Sequence, residues 1–143
     1  MESNQIIQQI KEEFPETEII EKTLFIPLSK LLPVARKLRE EYLFNYLTNQ
    51  TATDYGEYFE LVYNICRVPA GNMLMFKTRV ARNNARVPSL YEIWPGAEWQ
   101  EREIYDLLGI EFTNHPDLRR ILMPDDYQHH PLRKDFKWVG GRD

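Results

Sequence analysis

The sequence predicts an α+β fold, in which a small mixed or antiparallel sheet has helices packed on one face and an extended arm follows. Apolar and polar side chains alternate over residues 59–66 and again over 73–80, and turn-forming residues separate the two stretches. This pattern indicates a β-hairpin. Other stretches carry apolar residues at helical spacing. After Gly109 no periodicity remains, and three prolines punctuate the tail: Pro116, Pro124 and Pro131.

The first quarter of the chain predicts two helices with a strand between them. Ser3 can cap a helix that ends before Pro15. Residues 18–26 have apolar side chains at even positions, as in a strand with one buried face. A second helix is predicted to begin within residues 29–33, where proline is tolerated in the first turn. Its buried face consists of apolar residues at helical spacing: Leu31, Ala35, Leu38 and Tyr42.

The middle of the chain predicts a loop, the hairpin and two helices. Residues 48–56 are polar and are expected to form a loop before the hairpin. Ser89 and Glu92 have the spacing of a capping box, which predicts a helix that begins there and is interrupted at Pro95. A last helix is predicted from residue 97 to 108, with Gly109 as a left-handed stop residue.

The length, 143 residues, indicates a single domain. We expect residues 1–112 to form the α+β core. Residues 113–143 are expected to form an extended docking arm of the same domain, because so long a structureless stretch in a compact domain usually has a function.

Composition excludes several classes of function. Cys66 is the only cysteine, so neither an internal disulfide nor a self-contained iron–sulfur cluster is possible. The sequence has no dinucleotide fingerprint, phosphate loop or nucleophile elbow. We therefore predict no catalytic, cofactor-binding or metal-binding residue. No run approaches the ~18 apolar residues of a membrane span, so the chain is expected to reach a membrane only through partners.

Charge argues against nucleic-acid binding, because the net charge is −4 and phosphate neutralisation needs an excess of cations. Residues 61–91 contain basic side chains and no acidic one. That stretch fits docking onto an acidic partner, or simply a solvated sheet face.

The three histidines could bind a metal ion together with nearby carboxylates, since these side chains suit zinc or iron. Adjacent histidines in an irregular segment have no preset geometry, however. The alternative is that they are polar loop residues bonded to backbone or partner groups. The set comprises His115, His129 and His130 with Asp117, Asp125 and Asp126.

The last predicted helix carries a dense charged motif, Glu101-Arg102-Glu103 followed by Asp106. Arg102 lies four residues from Glu98 and four from Asp106, so one guanidinium could bridge two carboxylates. Exposed pairs of this kind contribute only ~0.3–0.5 kcal/mol. The free energy that such pairs add to a helix is therefore too small to explain the motif.

A longer pattern carries a family resemblance. Its elements follow one another along the chain: Glu101-Arg-Glu, then Asp106 and two leucines, then His115, a basic residue and an aliphatic pair. Residues 86–91 and 130–136 extend the pattern. It resembles the thirty-kilodalton subunit family of respiratory complex I, known as the C subunit in bacteria and the J subunit in the photosynthetic enzyme. The resemblance covers roughly residues 40–137.

The resemblance implies a non-catalytic subunit in the peripheral arm of a proton-translocating NADH:quinone oxidoreductase, on the cytoplasmic side of the cell membrane. It would scaffold the quinone-reducing module, packing on the large quinone-site subunit and the small iron–sulfur subunit. It would bind no cofactor itself, since flavin, iron–sulfur clusters and quinone belong to partner subunits. The residues expected at the partner interface are Glu101, Arg102, Glu103, Asp106, His115, Arg119, Arg120, Arg133 and Lys134.

Two departures from the family pattern leave alternatives open. Leu107-Leu108 stand where many relatives have Met-Phe, and the sequence ends at Asp143, where many respiratory members continue. The short end resembles photosynthetic, archaeal or ferredoxin-linked versions. The nearest alternative is thus the equivalent subunit of a ferredoxin- or deazaflavin-linked complex or of an energy-converting hydrogenase. A free-standing metal-dependent enzyme using the histidines, or a nucleic-acid module, is more remote.

Overall fold

The computed structural model describes residues 2–123 and 129–134. Pro124, Asp125, Asp126, Phe136 and the remainder of the predicted arm beyond Lys134 lie outside the described residues.

A five-stranded mixed sheet forms the centre of the fold, with strand order β1-β2-β5-β4-β3. β2 pairs with β5 in parallel, and the other neighbours are antiparallel. Three helices complete the α+β fold that the sequence predicts. The strands of this sheet are β1 (Glu18–Ile20), β2 (Thr23–Phe25), β3 (Tyr46–Asp54), β4 (Tyr58–Cys66) and β5 (Met73–Ala81). The helices are α1 (Ser3–Glu13), α2 (Leu31–Glu40) and α3 (Ala97–Leu108).

The predicted hairpin is confirmed as β4 and β5. Its register sets Tyr63 opposite Phe76, and their rings stack with centroids 4.8 Å apart. Trp94 lies 6.2 Å beyond the Phe76 ring and donates a 2.8 Å hydrogen bond to the Phe44 carbonyl. Alternate residues of both strands are buried, as the period-2 pattern requires. The core therefore lies on one face of the sheet, under the helices.

Three of the four predicted helices agree with α1, α2 and α3. The four residues assigned to the buried face of the second helix are all buried, although Tyr42 lies just beyond the end of α2. The cap of α1 differs from the prediction. The Ser3 hydroxyl donates to the Met73 carbonyl at 2.6 Å instead of capping the helix. Ser3 thereby fastens the start of α1 to β5.

Residues 18–26 form two antiparallel strands, so the prediction of one strand was wrong. Glu21 and Lys22 between β1 and β2 have φ angles of 48° and 67°. Two consecutive left-handed residues make the tight turn that suits the twist of paired strands. Such turns usually contain glycine or asparagine. Neither residue is present here, so the sequence gives no sign of the turn. As a result Ile20 is 48% exposed instead of buried.

The polar loop predicted for residues 48–56 was also wrong, because most of it belongs to β3. This nine-residue strand pairs with β4 over its whole length, with an irregularity between Leu47 and Asn49. β3 is an edge strand. One of its faces is solvated, so it is polar enough to resemble a loop in sequence.

Residues 86–88 form β6 (Arg86–Pro88), which pairs in parallel with β7 (Glu111–Thr113) as a second small sheet. The helix predicted to begin at Ser89 is absent. Residues 90–94 make a single turn, in which Trp94 N–H donates to the Leu90 carbonyl at 2.8 Å. α3 does end at Gly109, which has φ 76°.

The proposed boundary at residue 112 lies within β7, and the division into core and arm stays a prediction. In the part of the chain that the structure describes, no helix is long and apolar enough to cross a membrane.

Candidate docking site

The charged motif on α3 points into the protein. Glu101 and Asp106 are completely buried and Arg102 is 7% exposed, whereas Glu103 lies in solvent. An amphipathic helix normally exposes such a face. Arg102 and Asp106 are covered here by the C-terminal arm, which in the described residues comprises 113–123 and 129–134. The motif therefore fastens the arm to the helix.

Asp106 binds the backbone of the arm. Its Oδ2 accepts hydrogen bonds from the N–H groups of three consecutive residues, at 3.1, 2.6 and 2.9 Å. Its Oδ1 accepts a 2.8 Å hydrogen bond from the Arg120 guanidinium. Successive N–H groups that converge on one oxygen form an anion-binding concavity. The donors are Ile121, Leu122 and Met123.

These contacts determine the charge state of Asp106. Burial alone would raise its pKa, but the three N–H donors and Arg120 lower the pKa below its ordinary value of 3.8. The carboxylate is thus held in its charged form, and it is fully compensated inside the protein.

Arg102 binds the same segment from the other side. It donates to the carbonyls of Arg119 and Arg120, at 3.1 and 3.2 Å, and its guanidinium lies 4.7 Å from the Trp99 ring centroid. It does not form the expected bridge between Glu98 and Asp106. Asp106 accepts hydrogen bonds from the N–H groups of one turn of the arm, and Arg102 donates hydrogen bonds to C=O groups of the same turn. The two together satisfy backbone that a buried loop would otherwise leave unpaired.

Glu101 connects α3 to the segment after β6. Its carboxylate accepts a 2.6 Å hydrogen bond from the Ser89 hydroxyl and a 2.9 Å bond from the Leu90 N–H. Burial raises the pKa of Glu101 from 4.5 to about 7, against the opposing effect of the hydrogen bonds from Ser89 and Leu90. The buried carboxyl group of Glu101 therefore titrates near neutral pH.

His115 begins the arm and is held beside Glu101, with its Nε2 3.9 Å from the carboxylate. Its Nδ1 accepts from the Asp117 N–H at 2.9 Å, so the hydrogen lies on Nε2 and is donated to the Glu98 carbonyl at 3.0 Å. Its role in the structure is that of a loop histidine bonded to backbone.

The second described part of the arm returns to the C-terminal end of α3. His130 Nδ1 lies 3.1 Å from the Asp106 carbonyl, and Leu132 N–H donates to the Leu107 carbonyl at 3.0 Å. Arg133 donates to the Leu108 carbonyl at 2.6 Å. These are the carbonyls that a helix end leaves unpaired. The arm therefore caps α3.

Asp54, at the end of β3, makes the last contact with the arm. It accepts hydrogen bonds from Arg82 and from the Gly56 and Lys134 N–H groups, all at 2.8 Å. Burial would raise its pKa, but these partners lower the pKa below 3.8. The arm is thereby fixed to the sheet as well as to α3.

Replacing Gly109 with alanine is expected to destabilise the fold by about 1–2 kcal/mol from left-handed strain alone. A Cβ at this position would lie 2.8 Å from Arg133 and from His130. The alanine should therefore also displace residues 130–133, which faster amide exchange of Leu132 would reveal. Gly71→Ala is the matched control, because its φ is also positive (89°) but open space surrounds it. Equal effects of the two changes on stability and on Leu132 exchange would contradict this role of Gly109.

Of the nine residues expected at a partner interface, the structure brings eight together around the arm. Glu103 stands apart in solvent on α3. Glu101, Arg102 and Asp106 are buried within the chain, and Arg119 has a side chain that is 66% exposed. The partner-interface role of the nine residues stays a prediction. Across residues 2–123 and 129–134, no three side chains of His, Cys, Asp and Glu lie together as metal ligands would.

Sequence reasoning did not predict the contacts of Ser89, Arg82 and Asp54, although Ser89 was expected to cap a helix and Arg82 lay in the basic stretch. Each binds a partner far along the chain: Ser89 contacts Glu101, and Asp54 contacts both Arg82 and Lys134. The local spacing around Ser89 predicts only a helix cap. Spacing alone carries no signal for pairs separated by 12 to 80 residues.

The fold and this site define an α+β protein whose last helix uses charged side chains to hold its own C-terminal arm. The chain belongs to the family described as the respiratory-chain NADH dehydrogenase 30 Kd subunit, whose family model matches residues 24–142. The resemblance inferred from the charged motif is therefore confirmed.

Relatives from two bacteria match over nearly the whole chain. The C subunit of the NADH-quinone oxidoreductase of Moorella thermoacetica is 43% identical over 137 residues, with 92% of this chain and 93% of the relative covered. The C subunit of the Geobacter sulfurreducens enzyme is 38% identical over 149 aligned positions, with 97% and 92% covered.

Two solved structures share the fold. A trypsin-resistant fragment (1-134) of Nqo5 superposes with a TM-score of 0.66 at 26% identity, covering 78% of this chain and 98% of the fragment. A chain of the membrane-bound sulfane sulfur reductase, an archaeal respiratory membrane complex, gives a TM-score of 0.76 at 28% identity. There, 94% of this chain and 85% of the other are covered.

Proposed function

We propose that this chain is a non-catalytic peripheral-arm subunit of a proton-translocating NADH:quinone oxidoreductase, where it scaffolds the quinone-reducing module. Its partners are the large quinone-site subunit and the small iron–sulfur subunit, on the cytoplasmic side of the membrane. Flavin, iron–sulfur clusters and quinone belong to partner subunits. The observation that supports this role best is the family membership, because relatives named as the C subunit of this enzyme match over more than nine-tenths of the chain.

The fastened arm supplies a physical reason for a scaffold role. Asp106 and Arg102 hold residues 119–123 in one conformation before any partner binds. A preorganised segment loses less conformational entropy on association. A rigid subunit can in turn hold redox centres of its neighbours at fixed separations.

The burial of the charged motif changes which side chains would contact a partner. Glu101, Arg102 and Asp106 would act indirectly, by positioning the arm. Direct contact would fall to exposed side chains near them: Glu103, Trp99, Arg119, Leu122 and Leu132. Tryptophan and arginine are the residue types that dominate the energetics of protein interfaces.

Affinity purification of the tagged chain from solubilised membranes tests the proposal. We expect the wild-type chain to recover the large quinone-site subunit and the small iron–sulfur subunit in equal amounts. Purified alone, it should lack flavin and iron–sulfur absorbance. Recovery of neither subunit, or stoichiometric cofactor in the isolated chain, would refute the proposed function.

Arg119→Glu is expected to lower recovery of the partners about ten-fold, since charge reversal at an interface typically costs more than 1 kcal/mol. The side chain is 66% exposed, so the Tm should change by less than about 2 °C. Arg36→Glu, on the exposed face of α2, is the matched control and should recover partners normally. Equal recovery with Arg119→Glu and wild type would remove Arg119 from the interface.

A second candidate keeps the scaffold role but changes the complex. The similar chain of the membrane-bound sulfane sulfur reductase belongs to a respiratory complex named for a different reaction. This chain would then serve the equivalent position in a ferredoxin- or deazaflavin-linked complex or an energy-converting hydrogenase. The same purification discriminates between the two, because NADH- and flavin-binding subunits would be missing from the recovered complex.

A further inference from the structure

A group of polar side chains is buried where α3 packs against β3. Gln50 on β3, Tyr63 on β4 and Glu101 on α3 are 4%, 0% and 0% exposed; we call these three residues the Tyr63 cluster. The strand register sets Gln50 opposite Tyr63, so the two side chains are neighbours on the buried face of the sheet. The Gln50 N–H donates to the side chain of Gln100, which holds the adjoining part of α3 against β3. The cluster therefore joins three elements that pack together.

Tyr63 lies close enough to Glu101 to respond to its charge. Burial, and after it the Glu101 carboxylate, raises the pKa of Tyr63 well above its ordinary value of 10. The hydroxyl is therefore neutral and can donate a hydrogen bond. Glu101 can accept more hydrogen bonds than the Ser89 hydroxyl and the Leu90 N–H supply, because a carboxylate offers about four lone-pair sites. A donor and an acceptor with spare capacity thus lie near each other in the core.

Several polar atoms of the cluster have no direct hydrogen bond. The Tyr63 hydroxyl and the Nε2 and Oε1 atoms of Gln50 are shielded from bulk solvent, and none of them has a hydrogen-bond partner among the described residues. Buried hydroxyl and amide groups are almost always hydrogen-bonded, because an unpaired group in the interior loses its bonds to water without replacement. Two neighbouring side chains in this condition indicate that a further molecule bonds to both.

The chemistry of the cluster selects a small, neutral ligand that both donates and accepts hydrogen bonds. The ligand must accept from the Tyr63 hydroxyl and donate to the Glu101 carboxylate. A metal cation cannot accept a hydrogen bond, and an anion would be repelled by Glu101 in its charged form. The Phe76 ring stacks on the Tyr63 ring with centroids 4.8 Å apart, so an aromatic wall limits the size of the ligand. Water meets these requirements, and a buried water molecule typically makes about three hydrogen bonds to such groups.

We propose that the Tyr63 cluster binds a buried water molecule, which accepts a hydrogen bond from the Tyr63 hydroxyl, donates one to the Glu101 carboxylate and bonds to the Gln50 side-chain amide. This water joins α3 to β3 and β4. Because α3 also carries Arg102 and Asp106, which hold the arm, the water helps to position the helix to which the arm is fastened. The inference does not depend on the proposed function, since it concerns this chain alone.

Tyr63→Phe tests whether the hydroxyl has a partner. The variant keeps the ring that stacks on Phe76 and removes one hydrogen bond to the water, so the Tm should fall by about 3 °C. An unpaired hydroxyl would give the opposite result, because its removal eliminates an unsatisfied group and the Tm would stay the same or rise. Tyr42→Phe is the matched control, since the Tyr42 hydroxyl donates directly to Gln9 at 2.7 Å.

Magnetic relaxation dispersion of the solvent counts the water molecules that stay bound for longer than the tumbling time of the protein. Tyr63→Phe combined with Gln50→Leu leaves only Glu101 of the cluster able to bond to water. This double variant should therefore hold one long-lived water molecule fewer than wild type. Tyr42→Phe should keep the wild-type number, although its Tm also falls. Near-ultraviolet circular dichroism shows whether each variant is folded.

The wild-type chain supplies a measurement that needs no variant. We expect an Overhauser cross-peak between water and the Tyr63 hydroxyl proton, because the two are hydrogen-bonded neighbours. Absence of this cross-peak would overturn the inference, as would equal numbers of long-lived water molecules in wild type and the double variant. A Tm that stays the same or rises in Tyr63→Phe would show that the hydroxyl has no partner. If the double variant does not fold, the cross-peak and the Tm of Tyr63→Phe decide the question.

Discussion

Asp106→Ala should reduce the free energy of unfolding by about 3–5 kcal/mol, the range for removing one member of a buried ion pair. The change would leave the guanidinium of Arg120, whose side chain is 8% exposed, without its 2.8 Å carboxylate partner. It would also remove the acceptor for the three N–H groups of residues 121–123. Denaturant unfolding measures the loss, and amide exchange at those three residues locates it.

The control and the pH dependence make this expectation specific. Glu103→Ala removes an exposed carboxylate from the same helix and should change stability by less than about 0.5 kcal/mol. The pKa of Asp106 is lowered by folding, so its contribution is present above the unfolded-state pKa and is lost as pH falls through the folded-state pKa. The difference between wild type and Asp106→Ala should therefore shrink in acid. A loss below about 1 kcal/mol at neutral pH would show that Asp106 does not fasten the arm.

Glu101→Gln should remove a pH dependence that the wild-type protein shows below neutrality. The folded-state pKa of about 7 exceeds the ordinary 4.5, so the folded protein binds this proton more tightly than the unfolded chain does. Unfolding free energy therefore falls as pH rises from 4.5 to 7, by about 3 kcal/mol for a shift of this size. Above pH 7 the full penalty for a charged, buried carboxylate remains.

The stability difference between Glu101→Gln and wild type isolates this effect from other titrating groups. It should move in favour of the variant by about 3 kcal/mol between about pH 4.5 and 8, in paired denaturant unfolding experiments. Glu103→Gln is the matched control, and its difference from wild type should stay within about 0.5 kcal/mol. A pH-independent difference for Glu101→Gln would mean that Glu101 does not titrate in this range. The hydrogen bond from Ser89 would then lower the pKa of Glu101 by more than burial raises it.

The two carboxylates illustrate how position decides the behaviour of one side-chain type. Asp106 receives three N–H groups and a guanidinium, which together outweigh burial and lower its pKa. Glu101 receives a hydroxyl and a single N–H group, and burial outweighs them. One helix thus carries an anchor that stays charged at neutral pH and one that titrates near neutral pH, five residues apart. The contact of Glu101 with Ser89 and Leu90 would therefore vary near neutral pH, while the attachment of the arm at Asp106 would not.

The hairpin, the three helices, the stop at Gly109 and the family were decided by the sequence alone. Each of these depends on local spacing: a period of two in β4 and β5, helical periodicity in α2, a left-handed glycine after α3, and an ordered motif of charged residues.

Only the tertiary structure decided that the charged face of α3 points inward. The backbone partners of the Asp106 and Arg102 side chains are 15 to 18 residues away, and they reach the helix because the arm folds back across it. β3 and the turn at Glu21 and Lys22 depended in the same way on strand pairing and not on composition. A hydrogen bond between distant segments leaves no periodic trace in the sequence, because its geometry exists only once both segments are packed.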